Sequence, residues 1–169
     1  GWRHLRFMLL YSPRWLFLYP GLALMLLGGV VGGWLLAGPR HLGGVTLDVH
    51  TLLYAALAVL VGFQAVWFAV LAKVFAVTTG LLPPDARLNR LFRYVTLETG
   101  LVIGALLLAA GLAGSIHAVG TWSRHSFGTL DPTRVLRTII PSVLALALGC
   151  QIILGSFFLS LLGLRRRGA

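Results

Sequence analysis

Across 169 residues the chain is 58% hydrophobic and only 11% charged, yet its formal net charge is +10. A soluble domain ordinarily carries about 25% charged residues, and a chain this short has no core able to hide so much apolar surface. A water-soluble fold is therefore excluded, and the length fits one compact membrane bundle.

In chain order, Gly1–Tyr11 reads as an amphipathic interfacial helix (1–11), with Arg3, His4 and Arg6 on its polar side and Trp2, Leu5, Met8 and Leu9 facing lipid. Four stretches without Asp, Glu, Lys or Arg follow: Trp15–Pro39, Val49–Ala72, Thr99–Ser123 and Thr138–Leu164. Each reaches the ~20 apolar residues that carry a helix across ~30 Å of hydrocarbon. None shows barrel-strand alternation, and backbone in lipid must satisfy its own hydrogen bonds, so helices follow. The first is too long for a signal peptide. The spans are placed at 13–38, 49–79, 96–119 and 132–164, with a basic tail at 165–169. Ser12-Pro13, Asp48 and Asp131-Pro132 supply N-terminal caps and first-turn prolines, while Gly38 and Gly80 sit at C-terminal ends. Pro20 and Pro141 lie at or inside spans one and four, where either a kink or a shifted boundary would accommodate them.

Between spans two and three, Leu88, Leu91, Phe92 and Val95 recur at i, i+3, i+4, i+7, with Arg87, Arg90 and Arg93 off that stripe. This predicts a second interfacial helix over 84–95. Placing the termini on one side gathers Arg3, Arg6, Arg14, Lys73, Arg87, Arg90, Arg93, Arg165, Arg166 and Arg167 there, and leaves Arg40, Arg124, Arg134 and Arg137 opposite. The positive-inside rule then puts both termini in the cytoplasm of a multi-pass protein. Anionic lipid headgroups suit this charge better than nucleic acid does, because the basic residues bracket hydrophobic spans.

The chain also reads as duplicated. TLLYAALAVLVGFQ from Thr51 aligns with TIIPSVLALALGCQ from Thr138, matching Gly62 and Gln64 to Gly149 and Gln151 at a constant offset. The expected fold is an all-α membrane protein with four transmembrane helices as two parallel-repeat hairpins, plus two amphipathic interfacial helices. GxxxG spacing at Gly28, Gly29, Gly32 and Gly33, and at Gly100 and Gly104, predicts close helix packing. Ala65/Ala69 and Ser156/Ser160 are weaker versions, and the spacing leaves open internal contacts or a homo-oligomer.

Polar groups within or near the spans are few. Gln64 and Gln151 are placed either to bond each other across the bundle or to contact a lipid headgroup; Lys73 and Glu98 are placed to pair, unless Lys73 simply snorkels. His117, near the other ends of the spans, reads as an ordinary interfacial histidine. Cys150 is the one cysteine and has no metal-ligand neighbours. No phosphate loop, HExxH or paired carboxylates occur, so the sequence offers no catalytic residue, no metal ligand and no cofactor site. Glu98 is the sole candidate carboxylate for a proton-driven transporter, and no repeated polar lining suggests a channel.

The segments GWRHLRFMLLYSPRWLFLYPG, VGFQAVWFAVLAKVFA, GLLPPDARLNRLFRYVTLETGL and IIPSVLALALGCQIILGSFFLSLLGLRRR resemble the membrane tail of bacterial family-2 glycosyltransferases of the polyprenyl-phosphate (dolichol-phosphate mannosyltransferase-like) type. The resemblance covers essentially the whole chain. It implies an N-terminal catalytic domain preceding this tail, which binds a nucleotide sugar and a divalent metal through an Asp-x-Asp motif. It also implies a polyprenyl-phosphate lipid acceptor in a bacterial inner membrane. On that reading Arg3, Arg6, Arg14, Arg87, Arg90 and Arg93 flank the lipid phosphate; the alternative for the two basic segments is that they are positive-inside anchors. Two rival readings are a small transporter or lipid flippase, and a structural subunit of a larger membrane complex.

Overall fold

A computed structural model describes residues 14–80, 97–124 and 132–164. Both expected interfacial helices (1–11 and 84–95), the Ser12-Pro13 and Asp131 caps and the basic tail lie outside the described residues. Arg14–Leu18 form a π-helical turn that runs into helix α1 (Tyr19–Leu36). Pro20 lacks an N–H and its ring crowds the carbonyl four residues back, so a wider turn ahead of it removes the clash. Strands β1 (Arg40–Leu42) and β2 (Val45–Leu47) follow, then α2 (Val49–Thr78), α3 (Leu97–Arg124) and α4 (Pro132–Leu164). The four helices are each long and apolar enough to cross a membrane. Leu26, Val30, Leu106, Ile116 and Leu154 stand exposed on their outer faces, as lipid-facing side chains do.

The helix ends follow their sequence signals in part. Gly80 adopts φ +75° and its N–H bonds the Val77 carbonyl, closing α2 through a left-handed residue. Gly38 has φ +149°. Asp48 occupies the N-cap position of α2 but makes no side-chain cap bond, contrary to the expectation; its carboxylate is turned toward α4. Pro141 lies inside α4, which starts at Pro132, so no shifted boundary removes it. One residue further on, the Ser142 hydroxyl bonds the Thr138 carbonyl at 2.6 Å.

Helices α1 and α2 form one antiparallel hairpin and α3 and α4 another; the hairpins meet chiefly where α2 packs alongside α4. A methyl group on Gly62 would sit 2.5 Å from the Gly21 carbonyl oxygen, and one on Gly28 would sit 2.5 Å from that of Ala55. In the second hairpin a methyl on Gly149 would lie 2.8 Å from the Gly104 carbonyl oxygen, and one on Gly111 would lie 2.7 Å from that of Ser142. Backbone touches backbone at each crossing, and only glycine leaves room for it. The buried Ser156 and Ser142 fill the space beside Gly100 and Gly114, with their hydroxyls bonded within α4.

Of the expected GxxxG residues, Gly28 and Gly32 face α2 and Gly104 faces α4. Gly29 and Gly33 face open space. Between the hairpins, Leu35, Val49, Leu52 and Ile140 form a core at the end where the hairpins turn. Val74 and Leu159 form one at the end that holds the termini. Trp67 lies against Gly155 between them, with Phe63 stacked on it at 6.0 Å.

The segment between spans one and two is a β-hairpin, pairing Arg40 with Leu47, His41 with Thr46 and Leu42 with Val45. Gly43 and Gly44 turn it with φ of +52° and +88°, both positive as a two-residue type I′ turn requires.

Replacing Gly62 or Gly149 with Leu drives a side chain into the facing backbone, and we expect a loss of about 1–3 kcal/mol, the usual penalty for overpacking. Gly29→Leu, in open space, serves as the control. Thermal unfolding of the purified protein in detergent measures the difference, and equal melting temperatures for Gly62→Leu and Gly29→Leu would contradict the crossing described.

Candidate lipid-facing site at the termini end of the bundle

Connectivity collects the basic candidates at one end. The start of the π-helical turn, the end of α2, the start of α3 and the end of α4 all lie there, because the helices alternate in direction. Arg14 opens the π-helical turn and is exposed. Next to it Trp15 and Tyr19, both exposed, meet with ring centroids 4.9 Å apart, and Phe17 packs edge-on against Phe68 of α2 at 4.8 Å. Trp34, in the last turn of α1, marks the other end. Nineteen residues separate Trp15 from Trp34, roughly 28 Å at 1.5 Å per residue, which matches the ~30 Å hydrocarbon core between two aromatic belts. Arg3, Arg6, Arg87, Arg90 and Arg93 lie outside the described residues.

The polar residues inside the spans do not pair as expected. Lys73 is half-buried on α2, Glu98 is exposed in the first turn of α3, and no ion pair joins them. A carboxylate in a helix's first turn interacts favourably with the helix dipole without any partner. Gln64 is exposed on α2, whereas Gln151 is half-buried on α4 with a buried Oε1 that has no hydrogen-bond partner. No bond therefore links the two glutamines: Gln64 points out of the bundle, and Gln151 lies on the α4 face that carries Ile140, Gly155 and Leu159. His117 is exposed, and its backbone carbonyl accepts a bond from Thr121. Cys150 is exposed and free. Among the described residues no group of three His, Cys, Asp or Glu side chains could hold a metal.

The opposite end holds an ion pair that sequence reasoning missed. Arg137 Nη2 donates to Asp48 Oδ1 at 2.6 Å and joins the second turn of α4 to the start of α2. That bond, with the charge of Arg137, holds the Asp48 carboxyl below the usual carboxylate range. Both residues were visible, one as a cap and one as a charge, but the 89 positions between them hid the contact. Nearby, the Arg40 guanidinium lies 5.4 Å from the Trp34 ring centroid, with its Nε buried and unbonded.

Set beside known proteins, the sequence falls in the class of glycosyltransferase-family membrane regions. Residues 70–163 match the glycosyltransferase family 2 C-terminal transmembrane region. The chain is 33% identical over 166 residues to the low-salt glycan biosynthesis hexosyltransferase Agl6 of Haloferax volcanii. That alignment covers 96% of this chain and 38% of the relative. The chain therefore belongs to the glycosyltransferase family 2 C-terminal transmembrane family, and it spans well under half the length of the relative it matches. No solved structure matches it.

The Asp48–Arg137 pair gives a pH prediction. A carboxyl whose folded pKa is depressed stabilises the fold above its ordinary value of about 3.9, and that contribution is lost as pH falls through the lowered folded value. Asp48→Asn is therefore expected to melt below the parent at neutral pH, with the gap closing as pH drops below about 4. Parallel melting curves across that window, with a constant gap, would contradict the link.

Proposed function

We propose that this chain is the membrane-anchoring and acceptor-presenting region of a glycosyltransferase that moves a hexose from a nucleotide sugar to a polyprenyl-phosphate-type lipid. The observation that carries the reading is the alignment of nearly the whole chain to a hexosyltransferase, together with the family match over 70–163. The sugar-transferring residues and the divalent metal belong, on this reading, to an N-terminal catalytic domain. The membrane is a plasma membrane, with the termini end of the bundle on its cytoplasmic face.

Physical chemistry supports the assignment. A polyprenyl phosphate keeps its tail in hydrocarbon and its phosphate at the interface. Guanidinium groups bind phosphate in a bidentate fork and stay charged at any physiological pH. Arg3, Arg6, Arg14, Arg87, Arg90 and Arg93 are the groups proposed to flank that phosphate, beside the Trp15/Tyr19 belt. The transporter reading draws no support from Glu98, which stands exposed at a helix start rather than buried in the bundle.

The two hairpins are proposed to be copies of one unit. Gly21 and Gly28 meet Gly62 and Ala55, while Gly104 and Gly111 meet Gly149 and Ser142. The first helices correspond at an offset of 83 residues and the second at 87, so that the connection in the second hairpin is four residues longer. On this view each hairpin is entered through its own basic segment.

Substituting Arg87, Arg90 and Arg93 together with Gln in the full-length enzyme is expected to raise the KM for the lipid acceptor by about tenfold or more, as loss of charge-assisted phosphate contacts does. Membrane insertion and the KM for the nucleotide sugar should stay unchanged. Unaltered acceptor kinetics at normal insertion would refute the assignment.

A further inference from the structure

The β-hairpin at the turn end of the bundle has one apolar face that the described residues cover only in part. Directly opposed residues in an antiparallel pair share a face. His41 and Thr46 therefore point one way, with His41 Nδ1 2.9 Å from Thr46 Oγ1. Arg40, Leu42, Val45 and Leu47 point the other way. Leu47 packs on the core formed by Leu35, Val49, Leu52 and Ile140. Its neighbours on the same face, Leu42 and Val45, are 53% and 60% exposed. The apolar face thus starts on the bundle core and runs outward beyond it.

We propose that this hairpin lies in the lipid interface of the leaflet at the turn end, with Leu42 and Val45 dipping among the acyl chains and Arg40 at the level of the lipid phosphates. Three observations set that depth and that partner. Two residues beyond Gly38, whose φ is +149°, Arg40 reaches back over Trp34, the belt residue of that leaflet. From this base the hairpin extends about 10 Å at ~3.3 Å per residue, comparable to the 5–10 Å over which interfacial segments bury. The hairpin carries Arg40 and His41 and no carboxylate, so its charge complements anionic headgroups.

A protein partner fits the face less well. Two exposed side chains on three-residue strands offer far less than the ~800 Å² per partner of a stable protein interface. A two-stranded hairpin is also marginally stable in water by itself, and an apolar face seated in lipid supplies what its two pairs of neighbours cannot.

The proposal is tested with the whole chain in vesicles of phosphatidylcholine and phosphatidylglycerol. In a Cys150→Ser background, Leu42→Cys, Val45→Cys and His41→Cys are each labelled with a nitrobenzoxadiazole fluorophore. Quenching is read against aqueous iodide and against lipids bearing a nitroxide near the headgroup. Labels at 42 and 45 should be quenched by the shallow nitroxide and be about threefold or more less sensitive to iodide than the label at 41, as interfacial insertion of one face demands. Equal iodide quenching at all three positions would place the hairpin in water and overturn the proposal. Protection at 42 and 45 from both quenchers would place the face against protein, and overturns it equally. Two independent positions on the apolar face keep the result readable if one variant fails to insert.

Discussion

Four apolar helices in lipid gain nothing from hiding hydrophobic surface from one another, because acyl chains are as apolar as leucine. What binds them is close packing, and close packing here depends on glycine at the crossings. Gly21 against Gly62 and Gly104 against Gly149 bring backbones into direct contact. Where α3 meets α4 the small side chains Ser142 and Ser156 fill the remaining gaps, with their hydroxyls satisfied by carbonyls of their own helix. Larger side chains are then free to turn outward, which is why leucines and valines are so exposed along the helices. The hairpins are the firm units, and the α2–α4 seam between them is built differently. It has an ion pair at one end, apolar contacts at both, and a tryptophan laid on Gly155 in the middle.

Hydropathy and length made the four spans legible, since the bilayer leaves a long apolar stretch almost no choice but a helix. Which glycines pack was not legible. Gly28, Gly29, Gly32 and Gly33 offer two overlapping motifs, and a helix turns only one face to its neighbour; Gly29 and Gly33 fall on the other. The crossing glycines Gly21 and Gly62 belong to no GxxxG pair, so the motif passed over them. The β-hairpin was missed for a different reason: its strands are three residues long, too short for alternation to register. Gly43-Gly44 between short runs was the available signal. Asp48–Arg137 joins residues on different hairpins, and no local rule links a cap residue to a cation 89 positions away.

The same limits apply to the polar residues inside the spans. Matching positions in two aligned segments suggested that Gln64 and Gln151 face each other. Alignment conserves position along a helix and says nothing of the partner on each side. α2 and α4 run side by side in the same direction and contribute different faces to their seam. One glutamine can therefore lie in the seam while its counterpart points away, as Gln151 and Gln64 do. On the faces turned toward α1 and α3, Gly62 and Gly149 each meet the backbone of the neighbouring helix.

Charge distinguishes the two ends of the bundle more sharply than shape does. The chain has four acidic residues, and one of them, Asp48, is engaged by Arg137 at the turn end. Of the rest, Asp131 lies on the turn side of the sequence, leaving Asp85 and Glu98 against the ten basic residues of the termini side. A concentration of cations at a membrane surface is stable only when external anions balance it, and lipid phosphates are the nearest supply. An anchor alone needs only enough positive charge to fix its orientation. Ten basic residues against two acidic ones on the termini side of the sequence exceed what orientation requires, and the proposed contact with an acceptor phosphate rests on that excess.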